Sequence, residues 1–195
     1  MVKQITANQV LDCKGLACPM PIVRTKKAMD ALKPGEVIEM QATDKGSLAD
    51  IQGWAINTGH HYIGTLYEGE ILKHFIRKAS TDEEKEDHPY ARTIDNQSVI
   101  GMLEAKAKLL ILDVREPVEF AFIHIPGAVS IPLGDLDSRM NELVPDEEIY
   151  VICRTGKRSN YACRLLSEKG YRVTNVIPGM SQWNGPTEQT GQYPI

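Results

Sequence analysis

The feature that most limits how this chain can fold is the run KASTDEEKEDHP at residues 78–89. Before its final proline it has one apolar residue, and it places five acidic side chains and one lysine in positions 82–87. Such a run cannot bury enough apolar surface to join a core and is typical of a solvated linker. We therefore predict two small domains, 1–78 and 91–195, joined by an acidic flexible linker at 79–90.

The net charge of −4 comes mainly from this linker. Basic and acidic residues number 10 and 8 in 1–80, 1 and 5 in 81–89, and 11 and 13 in 90–195. Neither domain has the field that would attract nucleic acid or an anionic membrane. No stretch approaches the roughly 18 apolar residues of a membrane span, and the N-terminal residues lack the apolar region of a signal peptide. We expect a cytoplasmic protein with no membrane partner and no direct nucleic-acid partner.

The chain has four cysteines, which are too few for a disulfide scaffold: Cys13, Cys18, Cys153 and Cys163. Their spacings form no paired C-x-x-C blocks, so we predict no structural zinc site and expect no metal or other cofactor. Thiols of cytoplasmic proteins stay mostly reduced, and a reactive one acts as a thiolate. Each cysteine is therefore considered separately.

The order of elements predicts an α/β fold for each domain. Hydrophobic periodicity and turn residues in the first half predict a βαβαββ two-layer sandwich, with strands at 5–11, 37–42, 62–67 and 71–76 and helices at 19–32 and 47–57. The second half alternates helices with short apolar strands, at 109–113, 128–131, 149–152 and 172–176. Such strands are typical of a parallel sheet flanked by helices, which binds ligands beyond the carboxyl ends of its strands.

One cysteine directly follows such a strand. Cys153 begins the loop CRTGKR, which leads into the next helix. Backbone N–H groups and a helix N-terminus at such a turn can stabilise a sulfur anion, and three cationic side chains add to that field. A glycine lets the loop turn without a Cβ atom. The predicted substrate contacts are Arg154, Thr155, Gly156, Lys157 and Arg158.

Two reactions suit this loop, phosphoryl transfer through a cysteinyl phosphate and sulfur transfer through a cysteinyl persulfide. Cysteine phosphatases have a C-x5-R pattern, whereas Cys153 and Arg158 form the shorter C-x4-R pattern. The shorter loop favours sulfur over a tetrahedral phosphate. A purely structural cysteine would have no need of three neighbouring cations.

Residues 91–185 resemble a single-domain rhodanese. The segments LDVREPVEF (112–120), HIPGA (124–128), the six-residue loop from Cys153 and GMSQW (179–183) match that family in order. The resemblance implies that Cys153 accepts sulfane sulfur from thiosulfate, polysulfide or a protein persulfide and delivers it to a thiophilic acceptor. The loop amides and Arg158 would then stabilise the persulfide and the substrate anion.

Three further residues of this half have supporting roles in our interpretation. Asp113 and Arg115 lie where the rhodanese family keeps a structural or pocket-lining pair, and we favour a salt bridge below the loop. His124 is expected to stabilise a turn, because an ionised thiolate needs no general base.

A second candidate is Cys18, in the segment LDCKGLACPMPI at 11–22. We predict Cys18 as the N-cap of the first helix, with Pro19 at its first position and Pro21 at its third. Because prolines lack an amide donor, Cys18 should hold a sulfur anion less well than Cys153 and is a plausible acceptor.

This half resembles the TusA (SirA-like) sulfur-carrier family over about residues 3–78. The shared motifs are an Asp-x-x-Gly-Leu lead from Asp12 and the C-P-x-P turn, with similar residues at 44–47 and 50–51. The resemblance implies that Cys18 carries persulfide sulfur between proteins. A helix-capping cysteine without chemistry is disfavoured, since Ser or Asp would cap better.

The remaining cysteines and a histidine pair have weaker signals. Cys13 departs from the family pattern, and we favour a bystander over a thiol that resolves the Cys18 persulfide. Cys163 is expected in the core. His60 and His61 are adjacent in a strand and point to opposite faces, so both cannot readily ligate zinc.

We thus predict a sulfurtransferase in which Cys153 and Cys18 exchange sulfur, with the direction left open. Expected donors are thiosulfate, polysulfide or a cysteine desulfurase, and the expected acceptor is a protein thiol. The alternative is a non-catalytic carrier or regulator that a separate persulfide donor loads. A cysteine phosphatase or arsenate reductase is disfavoured by the short loop.

Overall fold

The computed structural model describes residues 6–79 and 89–190, which separate into two compact units. None of the helices in these two ranges is long and apolar enough to cross a membrane. The acidic run at 80–88 lies outside the described residues. The flexibility of the linker therefore stays a prediction.

The first unit has the predicted βαβαββ order. Its elements are β1 (Gln9–Asp12), α1 (Met20–Ala31), β2 (Val37–Ala42), α2 (Ser47–Asn57), β3 (His61–Glu68) and β4 (Ile71–Arg77). The strand order is β1-β2-β4-β3, with β1 parallel to β2 and the other two pairs antiparallel. Apolar residues of β2 and β4 pack against α1 and α2, and the shared core includes Met29, Ile38, Met40, Ile51 and Ile76.

The first strand begins later than predicted. We expected a strand over 5–11; residue 5 lies outside the described residues, and β1 starts at Gln9. Asn8 accounts for the late start, because its side-chain Oδ1 accepts from the backbone N–H of Val37 at 2.8 Å. This contact occupies the Val37 N–H, which a longer β1 would need for its pairing with β2.

A buried polar chain connects the sheet to the start of α2. Tyr62 and Thr65 hydroxyls are hydrogen-bonded, and Thr65 Oγ1 lies 2.6 Å from Nδ1 of the fully buried His74. His74 Nε2 lies 3.0 Å from Ser47 Oγ, which donates to the backbone oxygen of Asp44 at 2.6 Å. Because the Ser47 hydroxyl donates its proton to the hydrogen bond with Asp44 O, His74 Nε2 donates to Ser47 Oγ, and His74 Nδ1 accepts from the Thr65 hydroxyl. Burial lowers the pKa of His74 to about 4, so the ring is neutral near pH 7.

The second unit is a parallel five-stranded sheet in the order β5-β9-β8-β6-β7. Its strands are β5 (Thr93–Asp95), β6 (Leu110–Asp113), β7 (Val129–Ser130), β8 (Glu148–Ile152) and β9 (Arg172–Ile177). Its helices are α3 (Asn96–Glu104), α4 (Pro117–Phe122), α5 (Leu136–Arg139) and α6 (Lys157–Glu168), with a 3₁₀ turn at Met180–Gln182. The predicted parallel sheet with flanking helices is confirmed.

Both faces of this sheet are covered. Successive residues of β8, Val151 and Ile152, are fully buried in separate apolar clusters. β5 was not predicted; it is a three-residue edge strand with one apolar residue, Ile94. Its pairing with β9 depends on a partner about 80 residues away in the chain, which no local pattern indicates.

Candidate active site

Cys153 directly follows β8, where the chain turns into α6. The residue is fully buried. Its Sγ accepts hydrogen bonds from the backbone N–H of Gly156 at 3.2 Å and from Ser159 Oγ at 3.3 Å. Both donors belong to the loop or the first turn of α6, at the positive end of the helix. The arrangement can therefore stabilise negative charge on the sulfur.

Gly156 is the N-cap of α6 and has φ +91°. That backbone conformation is unfavourable for residues with a Cβ atom. A Cβ here would also lie 2.8 Å from Cγ2 of Ile177. The positive φ and the close Ile177 side chain both confirm the prediction that this turn needs glycine.

The loop carbonyl groups are bound by residues from outside the loop. The N–H of Met180 donates to Cys153 O at 2.9 Å, and the N–H of Ser181 donates to Arg154 O at 2.8 Å. Gly156 O accepts from Asn175 Nδ2 at 3.2 Å. These contacts orient the peptide groups of the loop.

The three predicted cations differ in environment. Arg158 is buried, and its guanidinium donates to both carboxylate oxygens of Glu119, at 2.7 and 2.8 Å. We predicted that Arg158 contacts the substrate anion, but its charge is engaged by this carboxylate. Arg154 is half-buried and Lys157 is exposed, so these two remain candidates for attracting an anion.

The supporting residues form buried contacts near the loop. Arg115 donates to both Asp113 oxygens, with its shortest contact at 2.6 Å, and to the backbone oxygen of Ile123. The predicted salt bridge is confirmed. His124 stacks on Phe120 and has Nδ1 2.7 Å from Phe120 O, which confirms its role in stabilising a turn.

Cys18 is exposed and lies two residues before the start of α1 at Met20. We predicted Cys18 as the N-cap, but Pro19 occupies that position, because the first helical hydrogen bond runs from Val23 N–H to Pro19 O. Pro21 consequently lies at the second helical position instead of the third. Cys18 is one residue beyond the cap, so it is farther from the helix N–H groups than predicted.

Carboxylates dominate the electrostatics of Cys18. The pKa of its thiol is raised, chiefly by a hydrogen bond to Asp50 and further by some loss of hydration and by the charges of Asp50 and Asp44. Asp50 lies in the first turn of α2, and Asp44 precedes that helix. A protonated thiol is what we expected of a weak anion site, while the comparison with Cys153 stays a prediction.

The other two cysteines belong to the cores. Cys13 and Cys163 are fully buried. Burial is the main cause that raises the pKa of both thiols, to about 12 for Cys163. The structure confirms Cys163 as a core residue and supports a bystander role for Cys13. Within 6–79 and 89–190, no group of three or more Cys, His, Asp or Glu side chains could hold a metal ion.

The structure brings Cys153 together with its own loop and with residues that the sequence did not single out. Ser159, Glu119 and Asn175 contact the loop or its sulfur. Ser159 could have been found, because its position in the first turn of α6 directs it back toward the loop. The other two come from distant elements, and no sequence spacing indicates them.

Comparison with known families matches both units. The family profile "Sulfurtransferase TusA" matches residues 9–78, and the profile "Rhodanese-like domain" matches residues 95–186. Each match falls in the half in which the motifs predicted it.

Individual relatives extend these matches. The chain is 51% identical over 183 residues to "Putative sulfur carrier protein YrkF" of Bacillus subtilis (strain 168), covering 93% of this chain and 98% of that protein. It is 43% identical over 97 residues to "Putative sulfurtransferase YtwF" of the same organism, covering 50% and 94%. The crystal structure of a rhodanese-like domain protein from Staphylococcus aureus shares 28% identity, covers 50% of this chain and 97% of that chain, and has a TM-score of 0.48.

Proposed function

The chain belongs to the family of sulfur carriers and sulfurtransferases in which a TusA domain precedes a rhodanese-like domain, and we propose that Cys153 and Cys18 both carry its sulfur. Cys153 takes up sulfane sulfur as a persulfide and exchanges it with Cys18 or with a thiol of an acceptor protein. The main support is the buried Cys153 sulfur, which receives two hydrogen bonds at the N-terminus of α6.

Loading from thiosulfate is a displacement at sulfur. The Cys153 thiolate attacks the outer sulfur of thiosulfate, a new S–S bond forms, and the S–S bond of thiosulfate breaks as sulfite leaves with the electron pair. The product is a Cys153 persulfide with negative charge on its terminal sulfur. Arg154 and Lys157 attract the thiosulfate dianion, and donors at the N-terminus of α6 stabilise the charged product.

Transfer to Cys18 repeats the same chemistry. The Cys18 thiol loses its proton to Asp50 or to water, its sulfur attacks the terminal sulfur of the persulfide, and the Cys153 thiolate leaves. The carboxylates near Cys18 and the cations of the Cys153 loop have opposite charge, which favours their encounter. A flexible 12-residue linker would span about 20 Å and hold the thiols at an effective concentration near millimolar.

The setting and partners follow from this chemistry. We place the protein in the cytoplasm, where thiols remain reduced. The proposed donors are thiosulfate, polysulfide or a cysteine desulfurase, and the proposed acceptor is a protein thiol. The proposed domains are 1–78 and 91–195, separated by the linker at 79–90.

Mass spectrometry of persulfides after loading with thiosulfate tests the relay. In the unaltered protein we expect sulfane sulfur on both Cys153 and Cys18. Cys18→Ser should retain it on Cys153, and Cys153→Ser should abolish it on both thiols. If Cys153→Ser still labels Cys18 at the full rate, Cys153 is not the loading site and the relay is wrong.

The alternative is a carrier that a separate persulfide donor loads. It is favoured by the contrast between exposed Cys18 and fully buried Cys153. This alternative expects negligible turnover with thiosulfate and cyanide, and label on Cys18 only after a cysteine desulfurase and cysteine are added. Turnover with thiosulfate that is lost in Cys153→Ser contradicts it.

A further inference from the structure

The peptide groups of the Cys153 loop have their directions set from outside the loop. In a trans peptide, the carbonyl of one residue and the N–H of the next point in opposite directions. Because Met180 N–H binds Cys153 O, the N–H of Arg154 points away from Met180. Because Ser181 N–H binds Arg154 O, the N–H of Thr155 likewise points away from Ser181.

The segment that supplies these donors is itself held by one buried side chain. Asn96, the first residue of α3, is 4% exposed. Its Nδ2 donates to Gly179 O at 2.9 Å, and its Oδ1 accepts from Gly179 N–H at 3.3 Å. One amide side chain thus engages both backbone groups of the residue just before Met180.

Gly179 also contacts the loop directly. Its φ is +83°, and a Cβ atom here would lie 2.4 Å from Cys153 O and 3.1 Å from Arg154 O. Backbone oxygens of a bound loop cannot move aside cheaply, so only glycine permits this approach. The orientation of the loop therefore depends on a residue 26 positions after Cys153 and on one 57 positions before it.

We propose that Asn96 and Gly179 are positioning residues that aim the N–H groups of Arg154 and Thr155 at the anion bound next to Cys153. This inference rests on the proposed function of Cys153. Asn96 anchors Gly179, Gly179 places Met180 and Ser181, and these two bind the loop carbonyls. The amides of Arg154, Thr155 and Gly156 then converge on the incoming anion and on the terminal persulfide sulfur.

The test compares two alkylating reagents on the full chain, with modification of Cys153 measured by peptide mass spectrometry. Iodoacetate is an anion and iodoacetamide is neutral, so the ratio of their rates reports attraction of an anion and cancels the thiolate fraction. Gly179→Ala can fail to fold, so Asn96→Ser is the principal variant. Gln97→Ser is the matched control, because Gln97 lies next on α3 and its Nε2 binds the exposed Asn184.

We expect the iodoacetate-to-iodoacetamide ratio at Cys153 to fall about fivefold in Asn96→Ser and to stay unchanged in Gln97→Ser. A merely structural role for Asn96 would change both rates together and leave the ratio as in the unaltered protein, which would overturn the inference. An equal fall in both variants would also overturn it. If none of the proposed donors (thiosulfate, polysulfide, or a cysteine desulfurase with cysteine) forms a persulfide on Cys153 of the unaltered protein, the proposed function fails, while the alkylation ratio still decides the inference.

Discussion

The two proposed sulfur sites of this chain differ in burial and in the charge that surrounds them. Cys153 is fully buried, with an N–H and a hydroxyl directed at its sulfur and with Arg154 and Lys157 in its loop. Cys18 is exposed, and nearby carboxylates raise the pKa of its thiol. The first environment favours holding a charged sulfur, whereas the second favours a neutral thiol that partners can reach. These environments are what the proposed relay requires of Cys153 as the site of loading and of Cys18 as the site of delivery.

The largest effect is expected from the buried charge beside Cys153. Glu119→Gln leaves the Arg158 guanidinium without its carboxylate, and both residues are about 5% exposed. We expect the free energy of unfolding of the second unit to fall by about 4 kcal/mol. Urea unfolding of the full chain, followed by hydrogen exchange of peptides from each unit, measures the change.

The control for this variant is Glu142→Gln, which makes the same chemical change at an exposed pair with Arg139 in the same unit. Exposed pairs contribute little to stability, so this variant should match the unaltered protein. Equal losses in the two variants would mean that the loop does not depend on a buried ion pair. The difference between this buried ion pair and the carboxylates near Cys18 would then disappear.

A second prediction concerns the first unit and pH. Burial lowers the pKa of His74 from 6.5 to about 4. Between these values the unfolded chain binds a proton that the folded chain does not, so stability is complete above about pH 6.5 and is lost as pH falls toward 4. The expected loss is roughly 3 kcal/mol. Hydrogen exchange of first-unit peptides across this window measures it.

His74→Gln removes the titrating group and should flatten this part of the pH profile. The side chains that contact the ring, Ser47 and Thr65, are neutral and do not titrate in this window. If the variant keeps the full slope between about pH 6.5 and 4, another group is responsible. His74 would then not be the cause of acid sensitivity in the unit that contains Cys18.

The smallest effect is expected at Cys18 itself. Because Asp50 raises the pKa of the Cys18 thiol, Asp50→Asn should lower that pKa and increase the thiolate fraction near pH 7. We expect iodoacetamide to alkylate Cys18 about threefold faster in Asp50→Asn than in the unaltered protein. The two rates should converge at high pH, where Cys18 is ionised in both proteins. Peptide mass spectrometry over a pH series measures both rates.

Asp30→Asn is the matched control, since it removes the same charge near the other end of α1. Its Cys18 alkylation rate should equal that of the unaltered protein. Should Asp50→Asn and Asp30→Asn behave alike, the carboxylates do not set the state of Cys18. The difference in electrostatic environment between Cys18 and Cys153 would then be lost.

Local patterns in the sequence predicted much of the fold. β2 and α2 have the predicted bounds, 37–42 and 47–57, because clear turn residues flank both elements. The start of α1 was one residue wrong, because Pro19 can serve as either the N-cap or the first helical residue. β5 was missed because an edge strand of three residues has no detectable periodicity.

The candidate site was predictable where its residues are contiguous. The Cys153 loop, its glycine and its helix follow from one short segment. The direction of the Arg158 side chain does not, because its partner Glu119 lies 39 residues earlier and becomes a neighbour only when α4 packs near α6. The same reason applies to Asn96 and Gly179, whose 83-residue separation hides their contact.

Lys78 determines where a fragment that contains only the first unit should end. Its ammonium group donates to three carbonyl oxygens at the C-terminal end of α1, those of Met29, Asp30 and Leu32. A cation at this end also interacts favourably with the helix dipole. An expressed fragment that stops at Arg77, the last residue of β4, would lose this cap from the helix that follows Cys18. A cut intended to release a stable carrier half therefore belongs after Lys78.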